Sequence, residues 1–363
     1  MRSSLRHPRL GSVHLRRRPC GLYRTRPVQS TNVAVSSRER VEAALRLDVA
    51  DRPPAGAWGH AYDAEWDVER LAQVTVDRAR KLGYDFVKFQ PRASCFSEAF
   101  GARWKPSGHK LRGPRSEEPG VGKGADAWVG LHGDAGAQAL TDQVESLRRV
   151  CEALGPDVPV IQTVFSPLTV AGYIAGKDTA RVTREIKKSP ELLRPALGVI
   201  ADVLTVFAAR SISAGAAGVF FAISGYASAD AMPEDVYRRD VLPYDLQVLE
   251  ALPEPAWFNV VHLCGGRIHH ALAADLPARV VSWSTSNRGN PGLREVRDHY
   301  RKPVMGGVRQ RSTLVSGPAS AVKAEVKAAL DETDGGKGLL LAPGCSVPPR
   351  APEANLRAMM SAA

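Results

Sequence analysis

The sequence predicts a (β/α)8 barrel, and three observations carry that reading. Helical and strand patterns alternate from residue 38 to the C-terminus, the strand segments are continuous apolar runs, and there are eight of them. Parallel strands buried on both faces read as unbroken apolar runs, and eight βα units in roughly 320 residues suit a closed barrel. An open doubly wound sheet would place a phosphate-cradling glycine turn after its first strand, and "AGAWGHAYD" is not one.

In chain order, "SSRERVEAALRL" reads as a helix capped by Ser36 or Ser37, and "RPPAGAW" as a short first strand near residue 54 behind a proline break. "DVERLAQVTVDRARKLG" is an amphipathic helix with a glycine stop, followed by the strand "YDFVKFQPR" near 85. Residues 105 to 137 form a polar, glycine-rich insertion. Its "GVGKGAD" is a decoy, because it follows a polar loop and has no Ser or Thr after the lysine. Helix "LTDQVESLRRVCEALG", a strand near 159, helix 190 to 213, a strand near 218 and helix 233 to 252 come next. The strand "AWFNVVHLC" near 256 leads to a helix near 267 to 275, then to "RVVSWS" near 279 and helix "LREVRDHY". "KPVMGGV" near 302, helix "ASAVKAEVKAALDET", "KGLLLAPG" near 338 and helix "EANLRAMMSA" complete the series.

The net charge of +11 suggests nucleic acid until it is mapped. Residues 1 to 37 hold eight arginines and no acid, so the rest of the chain carries only +3. With no amphipathic period and little apolar surface, that basic extension is expected to be disordered. It lacks the apolar region of a secretory signal, and no run of about 18 uncharged apolar residues suggests a membrane span. Five scattered cysteines, Cys20, Cys95, Cys151, Cys264 and Cys345, argue against a disulfide framework and for the reducing cytoplasm.

Catalytic groups of such a barrel stand at the C-terminal ends of its strands. His262 and Cys264 end the fifth strand in "VVHLCGG", and Cys345 follows the eighth in "LLLAPGCSVPP". Two cysteines and a histidine with an open fourth position make a catalytic zinc pattern. Two thiolates and a neutral imidazole bring the formal charge of bound Zn2+ to zero, which favours activating a thiol over polarising a carbonyl. The alternative is a core histidine bonded to backbone and two cysteines filling small gaps. Gly265, Gly266 and Gly344, beside these residues, allow close backbone approach.

Several longer stretches, "PVIQTVFSPLTVAGYIAG", "FFAISGYASADAMPEDVYRRDVLPYDLQVLEAL", "VVHLCGG", "GGVRQRSTLVSGPASAVKAEV" and "GLLLAPGCSVPPRAPEANLRAMM", resemble the uroporphyrinogen decarboxylase superfamily. They look most like its corrinoid-dependent, thiol-methylating branch, from about residue 38 to the C-terminus. The resemblance implies a (β/α)8 barrel, zinc held by His262, Cys264 and Cys345, and a methyl group moved to a thiol. The donor it implies is methylcobalamin or another methylcorrinoid, carried by a corrinoid partner protein. The decarboxylase branch would instead show an arginine-bearing "RQAGR"-type motif after the first strand, since a tetrapyrrole with eight carboxylates needs cations. "AGAWGHAYD" has no arginine.

Other polar residues are weaker candidates. His60 and Tyr62 follow the first strand and are expected to line the pocket, with His60 a catalytic candidate. Tyr226, after the fourth strand, is the other catalytic candidate and is expected to close over substrate. Lys88, Arg92 and Arg309 are expected to hold an anionic part of the substrate. His269 and His270 read as surface residues, and Cys20, Cys95 and Cys151 as bystanders. The competing functions are a metal-independent decarboxylase of tetrapyrrole carboxylates and a non-catalytic barrel that binds a corrinoid or tetrapyrrole. An RNA-binding role for the basic arm is a further, less favoured possibility.

Overall fold

The computed structural model describes residues 34–363, so the disorder expected of the basic extension falls, up to residue 33, outside the described residues. Ser36 and Ser37 already belong to the ordered body. Ser36 caps helix Ser37–Leu45, its hydroxyl accepting from the Glu39 N–H while the Glu39 carboxylate accepts from the Ser36 N–H at 2.7 Å.

Nine strands follow: β1 (Val87–Phe89), β2 (Arg103–Lys105), β3 (Arg115–Glu118), β4 (Val160–Phe165), β5 (Gly218–Ser224), β6 (Val260–Cys264), β7 (Val280–Ser282), β8 (Val304–Val308) and β9 (Leu339–Pro343). Seven of them form one parallel sheet in the order β1-β4-β5-β6-β7-β8-β9, with helices outside it, a TIM-barrel-like α/β arrangement. Every residue of β4, β7 and β9 is buried, which is why these runs contain no alternating polar positions.

The strand expected near residue 54 shrinks to a single bridge, Ala55 to Leu341. The Leu341 N–H donates to the Pro54 carbonyl at 2.9 Å, the Gly56 N–H to Leu341 at 3.1 Å, and the Asp85 N–H to Ala55 at 2.9 Å. This segment therefore spans the gap between β9 and the residues leading into β1. Pro53 and Pro54 offer no N–H, so it cannot extend into a ladder. Buried Asp85 pins it, accepting from the Ala55 N–H at 2.9 Å and pairing with Arg40 at 3.0 Å and Arg52 at 2.6 Å.

Other differences from the expected elements have local causes. The helix expected over 233 to 252 is two, Glu234–Asp240 and Leu242–Glu250, because Pro243 in the first turn of the second prevents a continuous hydrogen-bond ladder. The helix expected over 267 to 275 contracts to Leu272–Asp275, since Arg267 has φ +47° and Ile268 bridges Ser228. The polar insertion contains the antiparallel pair β2/β3 and a 3-10 turn at Ala125–Trp128. Helices Pro167–Ile174 and Thr179–Lys188, to which the sequence reading assigned no element, follow β4.

Helix Pro190–Ser213 has the ends expected of it. By length and composition it could cross a membrane, yet Leu193, Leu197, Ile200, Leu204 and Phe207 recur at helical spacing and are buried in the core.

Candidate metal centre

Alternate residues of a strand share a face, so the register of β6 presents His262 and Cys264 together. His262 is 3% exposed and its ring stacks on Phe220 of β5, with centroids 5.2 Å apart. Two turns then bring the cysteines close. After Cys264 the chain reverses at Gly265, whose φ of +113° favours glycine, and the Gly265 carbonyl accepts from the Asn287 and Asn290 side chains at 2.8 and 2.9 Å. Before Cys345, Gly344 lies against Ser284: a Cβ there would stand 2.7 Å from the Ser284 Oγ. Beyond Cys345, the Val347 N–H donates to the Trp58 carbonyl at 2.8 Å and holds the loop on the rim.

Across 81 residues of sequence, the Cys264 and Cys345 Sγ atoms come within 4.0 Å. A ligand atom from each of His262, Cys264 and Cys345 lies within 4.8 Å of the others. Two sulfurs bound tetrahedrally at Zn–S distances of about 2.3 Å would stand about 3.8 Å apart, close to what is observed and far from the roughly 2.05 Å of a disulfide. The imidazole is prepared in the same sense. Its Nδ1 pairs with the Ser282 Oγ at 3.1 Å, while its buried Nε2 has no hydrogen-bond partner. A hydrogen bond that fixes one ring nitrogen and leaves the other bare is the usual support of a metal-ligating histidine. The residues present therefore fit a soft or borderline divalent ion.

The two thiols share their first ionisation. A hydrogen bond from Cys264, aided by His262 and opposed by burial, holds Cys345 well below the ordinary thiol value, whereas the Cys345 thiolate and burial push Cys264 up. Arg311 pulls Cys264 back down weakly.

The remaining candidates divide by whether they already have partners. Lys88 lies under the same rim, buried, with its ammonium 4.8 Å from the centre of the Phe220 ring that His262 stacks on and donating to the Gln90 Oε1. Burial pushes it down to about 7, against the attraction of Cys345 and Glu65. His60 contacts the Glu65 carboxylate through Nδ1 at 2.5 Å and Gln90 through Nε2 at 3.4 Å, and Tyr62 stacks on it at 4.8 Å. His60, Lys88 and the metal cluster thus converge on one mouth.

Arg92 and Arg309 are already partnered. Arg92 is buried, bonded to both oxygens of Glu98 at 3.1 and 2.9 Å and laid over Trp66. Arg309 is exposed and paired with Glu325 at 3.2 Å. Tyr226 is buried after β5 with its hydroxyl unpartnered. His269 is buried, not on the surface, because its Nε2 bonds the Met232 carbonyl at 2.9 Å, and half-buried His270 bonds Tyr300 at 2.9 Å. Cys95 is buried and Cys151 partly so, neither belongs to the metal cluster, and Cys20 lies outside the described residues.

Sequence reading missed Ser282, Gln90 and Glu65. Ser282 ends β7 opposite His262 in register, so a polar residue closing the apolar run "RVVS" was its signal. Gln90 stands two residues beyond Lys88 at the end of β1 and shares its face. Nothing in the sequence marks Glu65.

Residues 38–363 match the family described as Uroporphyrinogen decarboxylase (URO-D). Over 309 residues the chain is 26% identical to the methylcobamide:CoM methyltransferase MtaA of Methanosarcina barkeri, covering 84% of this chain and 86% of that protein. It is 23% identical over 341 residues to MtbA of Methanosarcina acetivorans, a methyltransferase described in the same terms, covering 90% and 97%. It is also 26% identical over 269 residues to a uroporphyrinogen decarboxylase of Solibacter usitatus, covering 70% and 74%. Among solved structures, a methyltransferase from Methanosarcina mazei superposes with a TM-score of 0.76 at 23% identity, over 91% of this chain and 98% of that one, a likeness of fold.

Proposed function

The chain belongs to the uroporphyrinogen decarboxylase family, and within it we propose a zinc-dependent methyltransferase that moves a methyl group from a methylcorrinoid to a small-molecule thiol. The observation that carries this reading is the cluster of His262, Cys264 and Cys345, with an orphaned imidazole nitrogen and two thiols within reach of one ion at the barrel mouth. The relatives described as methylcobamide:CoM methyltransferases support it.

Zinc bound by these three residues supplies a centre that lowers the proton affinity of a thiol in its fourth position and keeps the sulfur electron-rich. The chain's own residues prepare that position. Ser282 holds the His262 ring by its Nδ1 and so aims Nε2 at the cysteines. Phe220 and Trp58, packed edge to face at 5.3 Å, form an apolar wall that excludes water beside the cluster. Lys88, held by Gln90 against that wall, is lowered to about 7 by burial, which the attraction of the Cys345 thiolate opposes. The donor comes from a corrinoid partner protein, and the reaction takes place in the reducing cytoplasm, where both thiols stay free.

The test is methyl transfer from methylcobalamin to 2-mercaptoethanesulfonate and other small thiols by the zinc-loaded chain, followed by the spectral change of the corrinoid. Turnover that disappears in Cys264→Ser supports the reading. Carboxylate loss from uroporphyrinogen without methyl transfer would replace it with the decarboxylase alternative, which the Solibacter relative favours. The loop after residue 58 opposes that alternative, because "GHAYD" carries no arginine to meet a tetrapyrrole carboxylate.

A further inference from the structure

At the end of β1 a hydrogen-bonded chain runs from a buried cation to a half-exposed imidazole. The Lys88 ammonium donates to the Gln90 Oε1, and the Gln90 Nε2 stands 3.4 Å from the His60 Nε2. The same ring meets the Glu65 carboxylate through Nδ1 at 2.5 Å. Donor and acceptor chemistry fixes the polarity of this chain. An ammonium only donates, so the Gln90 oxygen must face Lys88 and its amide NH2 must face His60. A ring nitrogen approached by a donor carries the lone pair, so the His60 proton sits on Nδ1, where Glu65 accepts it. The contact from Gln90 is long beside the usual range of about 2.7–3.2 Å, so that lone pair is only loosely engaged.

Of these four side chains, His60 is the one a substrate can reach. Lys88, Gln90 and Glu65 are buried, whereas 18% of the His60 side chain is exposed. Glu65 is fixed behind it, since its Oε1 also accepts from the Ala61 N–H at 3.1 Å. The His60 loop lies against the loop of the metal centre: the Val347 N–H donates to the Trp58 carbonyl at 2.8 Å, and a Cβ on Gly59 would stand 2.5 Å from the Val347 carbonyl oxygen. His60 and Cys345 each stand two residues from that hydrogen bond, which keeps the α-carbon of each within about 7 Å of it along the chain. A buried carboxylate behind an imidazole whose far nitrogen is an exposed, unprotonated base is the arrangement of a histidine that takes a proton and is stabilised as the imidazolium.

We propose that His60 is the proton acceptor for the substrate thiol, with Glu65 the positioning residue that fixes its tautomer. The inference rests on the methyl-transfer reading and deepens it. The S–H bond breaks with its electron pair left on sulfur, and an N–H bond forms at Nε2. The sulfur then takes the methyl carbon, leaving the electron pair of the former carbon–cobalt bond on cobalt. Once the thioether departs, Nε2 returns the proton to water at the exposed edge of the ring.

The test is titration calorimetry of 2-mercaptoethanol into the zinc-loaded full chain in two buffers of different ionisation enthalpy, which counts the protons released per thiol bound. The unsubstituted chain should keep the proton of the thiol, and His60→Gln should release it to the buffer. The glutamine amide still offers Glu65 a donor, so the fold and the metal should be retained. Kinetics with methylcobalamin as donor give a second reading. His60→Gln should lower kcat/KM about 100-fold for 2-mercaptoethanol and spare an aromatic thiol that arrives already ionised. Glu65→Gln should lower kcat for 2-mercaptoethanol with KM unchanged, and spare the aromatic thiol as well. An equal proton count in the unsubstituted chain and His60→Gln, or equal losses with the two thiols, would overturn the role of His60 while leaving methyl transfer intact. A thiol that the unsubstituted chain neither binds nor methylates would overturn both.

Discussion

Two sectors of the same barrel mouth use polar side chains in opposite ways. Around β1, polar side chains have neighbouring partners: Arg92 bonds Glu98, Lys88 donates to Gln90, and His60 contacts one oxygen of Glu65. At the ends of β6 and β9, the donor atoms are left open: the His262 Nε2 has no partner and the two sulfurs face each other at 4.0 Å. Burial without partners costs stability, and where the open atoms belong to a histidine and two cysteines within 4.8 Å of one another, a metal ion is what would complete them. The open sector is the candidate site, and His60 and Lys88 bring the paired sector to its edge.

The sharpest way to break this contrast is substitution at the open sector. Cys345→Ser should abolish methyl transfer and metal retention while the unfolding temperature of the metal-free chain changes little, which activity assays, metal analysis and calorimetry would separate. Arg92→Ala tests the paired sector. It strands the partly buried Glu98 carboxylate and should cost about 2 kcal/mol in denaturant unfolding, with the metal still bound. If Arg92→Ala instead spared stability and removed substrate binding, the Arg92–Glu98 pair would belong to the site.

A smaller effect is expected between the two. Ser282→Ala frees the ring of His262 without removing a ligand, and should weaken metal affinity about tenfold in competition with a chelator. The smallest effect lies far from either sector, at Asp245, a buried carboxyl that accepts from Tyr237 and whose other oxygen is unpartnered. Burial raises it to about 7. A carboxyl raised in the folded state adds stability that is full below about pH 4 and is lost as pH rises to about 7. Asp245→Asn should therefore flatten the pH dependence of the unfolding temperature and leave the variant more stable relative to the parent above pH 7. A parallel shift at every pH would contradict that assignment.

Much of this was legible in the sequence because strands buried on both faces leave an unbroken apolar signature. The runs that became β4 to β9 were visible, as was the placement of His262, Cys264 and Cys345 at strand ends. The first strand was not legible as a single bridge, because its prolines act by withholding hydrogen bonds from neighbours that sequence does not name. Helices Pro167–Ile174 and Thr179–Lys188 were missed because the first is apolar on all sides and both are short. Charge was visible at Arg92 and Arg309, but the carboxylates that occupy them were not: Glu98 is six residues away and Glu325 sixteen. Ser282 was hidden for the same reason, since a partner across a sheet leaves no mark on the spacing.

The central claim is tested most directly by metal analysis of the full chain purified without added metal or chelator. One zinc per chain, falling to near zero in Cys264→Ser, is the predicted result. A metal-free chain that neither takes up zinc nor retains it through dialysis would contradict the account.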